Sequence, residues 1–121
     1  GFENFCLINA TEIAQHLGIA NRMISYGPMN IADKTQIDLV YFRDDLTIHL
    51  VEIKFQNKEV DTPIMLDVER KLDALKEQFP QHSIIKNLIS LSRPTKKLAL
   101  SEYFDKILLV EDLLSKKLAT S

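Results

Sequence analysis

Apolar and polar residues alternate most clearly in two adjoining segments, residues 36–42 (QIDLVYF) and 47–55 (TIHLVEIKF). Both segments are rich in β-branched and aromatic residues, which favour strands. The four residues between them, from Arg43 to Leu46, are typical of a tight turn. The sequence therefore predicts an antiparallel β-hairpin.

Two further segments have the apolar spacing of amphipathic helices. Residues 2–17 are followed by Gly18, a common helix stop, and place these apolar side chains near one face: Phe2, Phe5, Cys6, Ile13 and Leu17. A second helix is predicted to begin with Thr62 as its N-cap and Pro63 in its first turn. Its apolar residues recur in steps of three and four before Pro80 ends it: Met65, Val68, Leu72, Leu75 and Phe79.

The remaining elements are shorter. Residues 22–26 predict a weak strand that Gly27-Pro28 closes, and further strands are expected at residues 84–91 and 106–110. Residues 95–104 can hold a short helix, and residues 111–118 predict a closing helix. The order of elements indicates an α/β or α+β sheet with helices packed against it.

Length and composition indicate one ordinary domain. The chain has 121 residues, of which 45% are hydrophobic and 26% charged. It contains no apolar run of roughly 18 residues that would span a membrane, and it begins without a signal-peptide pattern or an initiator Met. We therefore expect an excised domain of a longer protein. Cys6 is the single cysteine, which excludes an internal disulfide and fits a reducing cytoplasm.

The charge distribution does not favour a simple nucleic-acid binder. The net charge is −2, whereas DNA-binding modules usually carry a basic excess. Residues 78–101, however, contain four basic side chains and no acidic one: Lys86, Arg93, Lys96 and Lys97. A surface that contacts phosphates is expected there.

One group of polar residues interrupts the predicted hairpin. If the turn pairs Phe42 with Ile48, Asp38 lies directly across from Glu52, and Lys54 follows about 7 Å further on the same face. Two carboxylates this close repel each other unless a cation lies between them, and Mg²⁺ commonly takes one or two carboxylates together with water and phosphate oxygens. The pattern is therefore compatible with metal-assisted phosphodiester hydrolysis. These three residues alone are too short and common a pattern to exclude a solvated strand end that carries a cross-strand ion pair, which they favour by themselves.

Asp38 and Glu52-x-Lys54 on consecutive strands, within an αβββαβ order, resemble the PD-(D/E)xK nuclease superfamily. More narrowly, the chain resembles the C-terminal nuclease-like domain of bacterial and archaeal AAA-type P-loop ATPases. The corresponding motifs are Phe2-Glu3, residues 36–39 (QIDL) and residues 52–55 (EIKF). The resemblance extends to the 71–79 segment and to residues 110–114, and so covers nearly the whole chain.

This resemblance implies a restriction-endonuclease-like αβββαβ core, with a central mixed sheet flanked by helices, and residues 1–121 as a single domain from the C-terminal part of a larger ATPase. It implies that Glu3, Asp38 and Glu52 bind Mg²⁺ or Mn²⁺ and that Lys54 positions or polarises a water. DNA is then the expected substrate and the P-loop ATPase the expected partner. The chain itself has no Gly-x-x-x-x-Gly-Lys-Ser/Thr motif for ATP.

Three functions stay open at this point. The first is a magnesium-dependent endonuclease-like hydrolase, and the second is a catalytically silent module with the same fold that binds DNA or protein for its ATPase. The third is an oligomerisation domain. Four other reactive side chains are expected to be structural or at the surface: Cys6, His16, His49 and His82.

Overall fold

Five strands form one mixed sheet in the computed structural model, which describes residue 5 and residues 8–114 of the chain. The strands lie side by side in chain order, and β1, β2 and β3 are antiparallel while β3, β4 and β5 are parallel. Their bounds are β1 Met23–Ile31, β2 Thr35–Arg43, β3 Thr47–Lys54, β4 Ser83–Ser90 and β5 Lys106–Leu109. The helices are α1 Ala10–Leu17, α2 Ile64–Gln78 and α3 Lys96–Leu100. The expected αβββαβ order and mixed sheet are confirmed.

Helices cover both faces of this sheet. On one face, α1 packs against a core that includes Leu39, Val51 and Ile53. The Tyr41 hydroxyl fixes α1 to the sheet by donating a 2.6 Å hydrogen bond to the carbonyl of Ala10. On the other face, the apolar stripe of α2 and Leu98 of α3 pack against a second core, whose sheet residues include Val40, Ile48, Leu50 and Leu88. Glu52 belongs to this second face because side chains two apart on a strand share a face.

The predicted hairpin has the predicted register. Phe42 pairs with Ile48, and the pairing continues in step to Leu39 and Val51. Leu46 closes the turn with a φ of 60°, in the left-handed region. The assumed pairing of Phe42 with Ile48 is therefore confirmed.

The first strand is longer than predicted. We expected it to end at Gly27-Pro28, but β1 runs from Met23 to Ile31 straight through these two residues. The strand accommodates them because its pairing with β2 shifts register between Gly27 and Met29, as a β-bulge does. β1 is also an edge strand, where a proline without an N–H is tolerated.

One helix boundary differs from its prediction, at the start of α2, and two other predicted helices lie partly outside the described residues. Thr62 does not cap α2; the residue before the helix is Pro63, and no side-chain cap bond is present. The Asp61 carboxylate instead accepts hydrogen bonds from the Thr62 N–H at 2.7 Å and from the Thr95 hydroxyl at 2.8 Å.

The first helix extends over Ala10–Leu17 and ends at Gly18 as expected. Most of residues 2–7, including Phe2 and Cys6, lies outside the described residues. Residues 110–114 are helical, and the rest of the predicted closing helix also lies outside.

No helix among the described residues is both long and apolar enough to span a bilayer.

Candidate functional site

Asp38 and Glu52 lie on neighbouring strands of the hairpin. They lie one step beyond the last residue pair of the ladder, Leu39 with Val51, and the Ile53 N–H donates a hydrogen bond to Asp38 Oδ2 at 3.3 Å. Asp38 is half-buried, whereas Glu52 is only 3% exposed. The two carboxyl groups are close enough for Asp38 to raise the pKa of Glu52. The sheet therefore brings the two predicted carboxylates together on one face.

Lys71 of α2 neutralises the buried glutamate. Its ammonium group donates to both carboxylate oxygens of Glu52, at 2.7 Å to Oε1 and 3.0 Å to Oε2. The Lys71 side chain is 19% exposed, so the ion pair is partly shielded from solvent. The sequence predictions did not include Lys71 in the site. The spacing of the sequence could have indicated this role. Lys71 is three residues from Val68 and four from Leu75, so it lies on the buried face of the helix.

The environment of Glu52 raises its pKa above the ordinary value of a glutamate. Burial is the largest cause, and the nearby charge of Asp38 acts in the same direction. The ion pair and hydrogen bond with Lys71 oppose both effects but do not cancel them. A carboxylate in this position gains from any additional cation that approaches it.

Lys54 lies two residues beyond Glu52, at the end of β3, and is half-buried. It lines a cavity of about 350 Å³ between the loop that follows β3 and the first turns of α2. Lys58 and three carboxylates also line this cavity: Glu59, Asp61 and Asp67. The predicted lysine therefore lines a recess whose lining includes neither Asp38 nor Glu52.

The donor set fits a divalent cation with oxygen ligands. Two carboxylates converge, and the buried Glu52 carries the Lys71 ammonium on both of its oxygens. Mg²⁺ is commonly held by one or two carboxylates, with water completing its octahedron. Within the described residues no group of three or more metal-ligating side chains occurs. Glu3, the third expected ligand, lies outside them.

The three histidines are all placed away from this pair. His49 lies on the opposite face of β3, where its ring contacts Asn87 and Arg43, each at 3.3 Å. Burial, assisted by the charge of Arg43, lowers the pKa of His49 to about 4, so the ring is neutral at pH 7. The His16 ring lies 2.9 Å from the carbonyl of Glu12, and His82 packs against aromatic rings. These contacts agree with the structural roles expected for them.

The predicted basic residues of the 78–101 segment lie on three different parts of the fold. The Lys86 ammonium sits over the Tyr103 ring, 3.7 Å from its centre, and Arg93 approaches Glu111 at 3.8 Å. Lys96 and Lys97 are exposed at the start of α3. A role of these four residues in contacting nucleic acid stays a prediction.

No protein-family model matches the chain, and no curated protein matches it. Two solved structures are similar. One is a repair endonuclease from Pyrococcus abyssi, with 17% identity and a TM-score of 0.49 over 82% of this chain and 43% of the other. The second is the EndoMS-dsDNA2 complex, with 12% identity and a TM-score of 0.49 over 83% and 44%. The chain thus spans less than half the length of either.

Proposed function

We propose that this chain is a metal-dependent nuclease-like domain that hydrolyses phosphodiester bonds of DNA. The observation that carries the proposal is the convergence of Asp38 with a glutamate that is 3% exposed and held by a lysine. Burying a charged carboxylate is costly, and a second carboxylate beside it adds to the cost. Such an arrangement is typical of functional sites.

Each residue has a distinct task in the proposed reaction. Asp38 and Glu52 would hold Mg²⁺ or Mn²⁺, with Glu3 as a third ligand from the N-terminal segment. An ion held there would acidify a bound water and neutralise charge that develops on the phosphate. Lys54 would orient the attacking water or stabilise the negative charge of the pentavalent transition state. Lys71 keeps the Glu52 carboxylate in a fixed orientation on the face of the sheet.

The proposed setting of the domain follows the resemblance noted from the sequence. The domain would be attached to a P-loop ATPase in a cytoplasmic protein, and the four basic residues of the 78–101 segment would offer contacts to the DNA backbone. The ATPase would bring the substrate to the site. The chain itself contains no P-loop motif.

A second candidate function is a catalytically silent module that binds DNA or protein with the same fold. The Lys71–Glu52 contact favours it, because the lysine satisfies both carboxylate oxygens without a metal ion. Under this alternative the carboxylates only stabilise the helix on the sheet. The two functions differ in their dependence on divalent metal.

Nicking of supercoiled plasmid and titration calorimetry with Mn²⁺ test the proposal together. We expect the wild-type chain to nick DNA in Mg²⁺ or Mn²⁺ but not in EDTA, and to bind Mn²⁺ in a manner that Glu52→Gln abolishes. Glu77→Gln, the same change at an exposed position of α2, should keep the wild-type metal affinity. Metal-independent background nicking in every sample, or equal Mn²⁺ binding by both variants, would overturn the proposal.

A further inference from the structure

A small cationic cavity lies between the β1–β2 turn and α2. It measures about 90 Å³ and is lined by Lys34, Thr35, Gln36, Arg70 and Lys71. Three of these side chains are positively charged and none is a carboxylate. The larger cavity at Lys54 is different, because three acidic side chains outnumber its two lysines.

Lys71 connects this cavity to the carboxylate site. The same side chain lines the cavity and holds both oxygens of Glu52. A group bound in the cavity therefore lies one side chain away from the carboxylate pair. Of the other two cations, Lys34 is exposed on the turn, and Arg70 is exposed and pairs with Asp67 at 2.6 Å. Both are accessible to a ligand that arrives from solvent.

We infer that this cavity binds a phosphate group of the DNA backbone next to the one that is cleaved. The inference rests on the proposed function for the identity of the ligand. A volume of about 90 Å³ is that of roughly three water molecules, which suits one tetrahedral phosphate group. Lysine and arginine supply the charge-assisted hydrogen bonds that phosphate oxygens take, and Thr35 and Gln36 add uncharged donors.

This assignment places the DNA on a different surface from the one that the sequence suggested. In the 78–101 segment, the four basic residues lie on three different parts of the fold, and none of them lines this cavity. One cation of the cavity, Lys71, instead contacts Glu52 directly, so a group bound in the cavity lies close to the proposed site of hydrolysis. The cavity therefore groups three positive charges next to a residue that contacts Glu52, although the net charge of the chain is −2.

The test is fluorescence anisotropy with a short labelled single-stranded DNA in EDTA, over a series of salt concentrations. Lys34→Ala and Arg70→Ala are each expected to weaken binding roughly tenfold, because each removes a hydrogen bond to a charged group. Each should also reduce the slope of log affinity against log salt by about 0.7. Both residues are exposed, so neither change should disturb folding. Lys76→Ala, which removes the same charge from an exposed position further along α2, should have a much smaller effect.

Three results would overturn the assignment. The first is equal weakening by Lys34→Ala, Arg70→Ala and Lys76→Ala, which would indicate a general charge effect. The second is a larger loss with the double variant Lys96→Ala/Lys97→Ala, which would place the DNA on α3. The third is no DNA binding by the wild-type chain at low salt. Loss of affinity in the two cavity variants without metal-dependent nicking by the wild type would instead support the cavity and overturn the hydrolytic function.

Discussion

The Asp38→Asn variant is expected to lose metal-dependent DNA cleavage by at least about a hundredfold, the effect typical of removing one electrostatic partner of a transition state. The change removes one of the two carboxylates that would hold the metal ion, while the side chain keeps nearly the same size. An asparagine oxygen can still accept the 3.3 Å hydrogen bond from the Ile53 N–H, so the hairpin should stay folded. Initial rates of plasmid nicking in Mn²⁺ measure the effect.

Asp33→Asn is the matched control for this variant. It makes the same chemical change five positions earlier, at an exposed residue of the β1–β2 turn with a φ of 55°. Asparagine tolerates this left-handed conformation well, so the control should fold and cleave like the wild type. Similar cleavage rates for Asp38→Asn and Asp33→Asn would remove Asp38 from the proposed chemistry.

The Lys71→Met variant is expected to lose about 3 kcal/mol of unfolding free energy at pH 8, the typical cost of breaking a buried ion pair. Loss of the Lys71 ammonium leaves the Glu52 carboxylate buried, close to Asp38 and without a positively charged partner. Methionine fills most of the space of the lysine stem, so the effect reports on charge more than on packing. Urea unfolding of the wild type and the variant measures the difference.

The loss should depend on pH in a defined direction. Without Lys71, burial and the charge of Asp38 raise the pKa of Glu52 with nothing to oppose them. In the folded variant Glu52 then keeps its proton at pH values above 4.5, the ordinary pKa at which the unfolded chain releases it. The free energy of unfolding therefore falls as the pH rises. Near pH 4 the glutamate is mostly protonated in both states, and the gap to the wild type should be small.

Two further variants control this prediction. Lys76→Met removes an exposed lysine from the same helix and should change stability by no more than about 0.5 kcal/mol. The double variant Glu52→Gln/Lys71→Met leaves neither charge behind and should recover most of the lost stability. If Lys71→Met and Lys76→Met were equally stable at pH 8, the ion pair between Lys71 and Glu52 would not contribute to stability.

The hairpin could be predicted from the sequence because several independent signals agree there. Period-two alternation, β-branched residues and a short turn between the strands together define one register. That register then determines which side chains share a face, and the structure places the Asp38 side chain close to that of Glu52. A one-residue slip would have put them on opposite faces.

Other features could not be predicted from the sequence, because tertiary structure overrides the preference of the local sequence at these positions. Gly27-Pro28 is a strong turn signal, yet β1 continues through it as an edge strand with a shifted register. Lys71 resembles an ordinary solvated helix position when only its residue type is considered. Its role depends on the packing of α2 over β3, which brings together residues 19 positions apart.

The measurement that tests the central claim most directly is a crystal structure of the chain grown with Mn²⁺, with anomalous scattering recorded. The account predicts an anomalous peak between the carboxylates of Asp38 and Glu52, at about 2.1 Å from their nearest oxygens as for an octahedral hard cation. The account would be contradicted by a map that shows no such peak at saturating Mn²⁺ and in which both oxygens of Glu52 remain bound to Lys71.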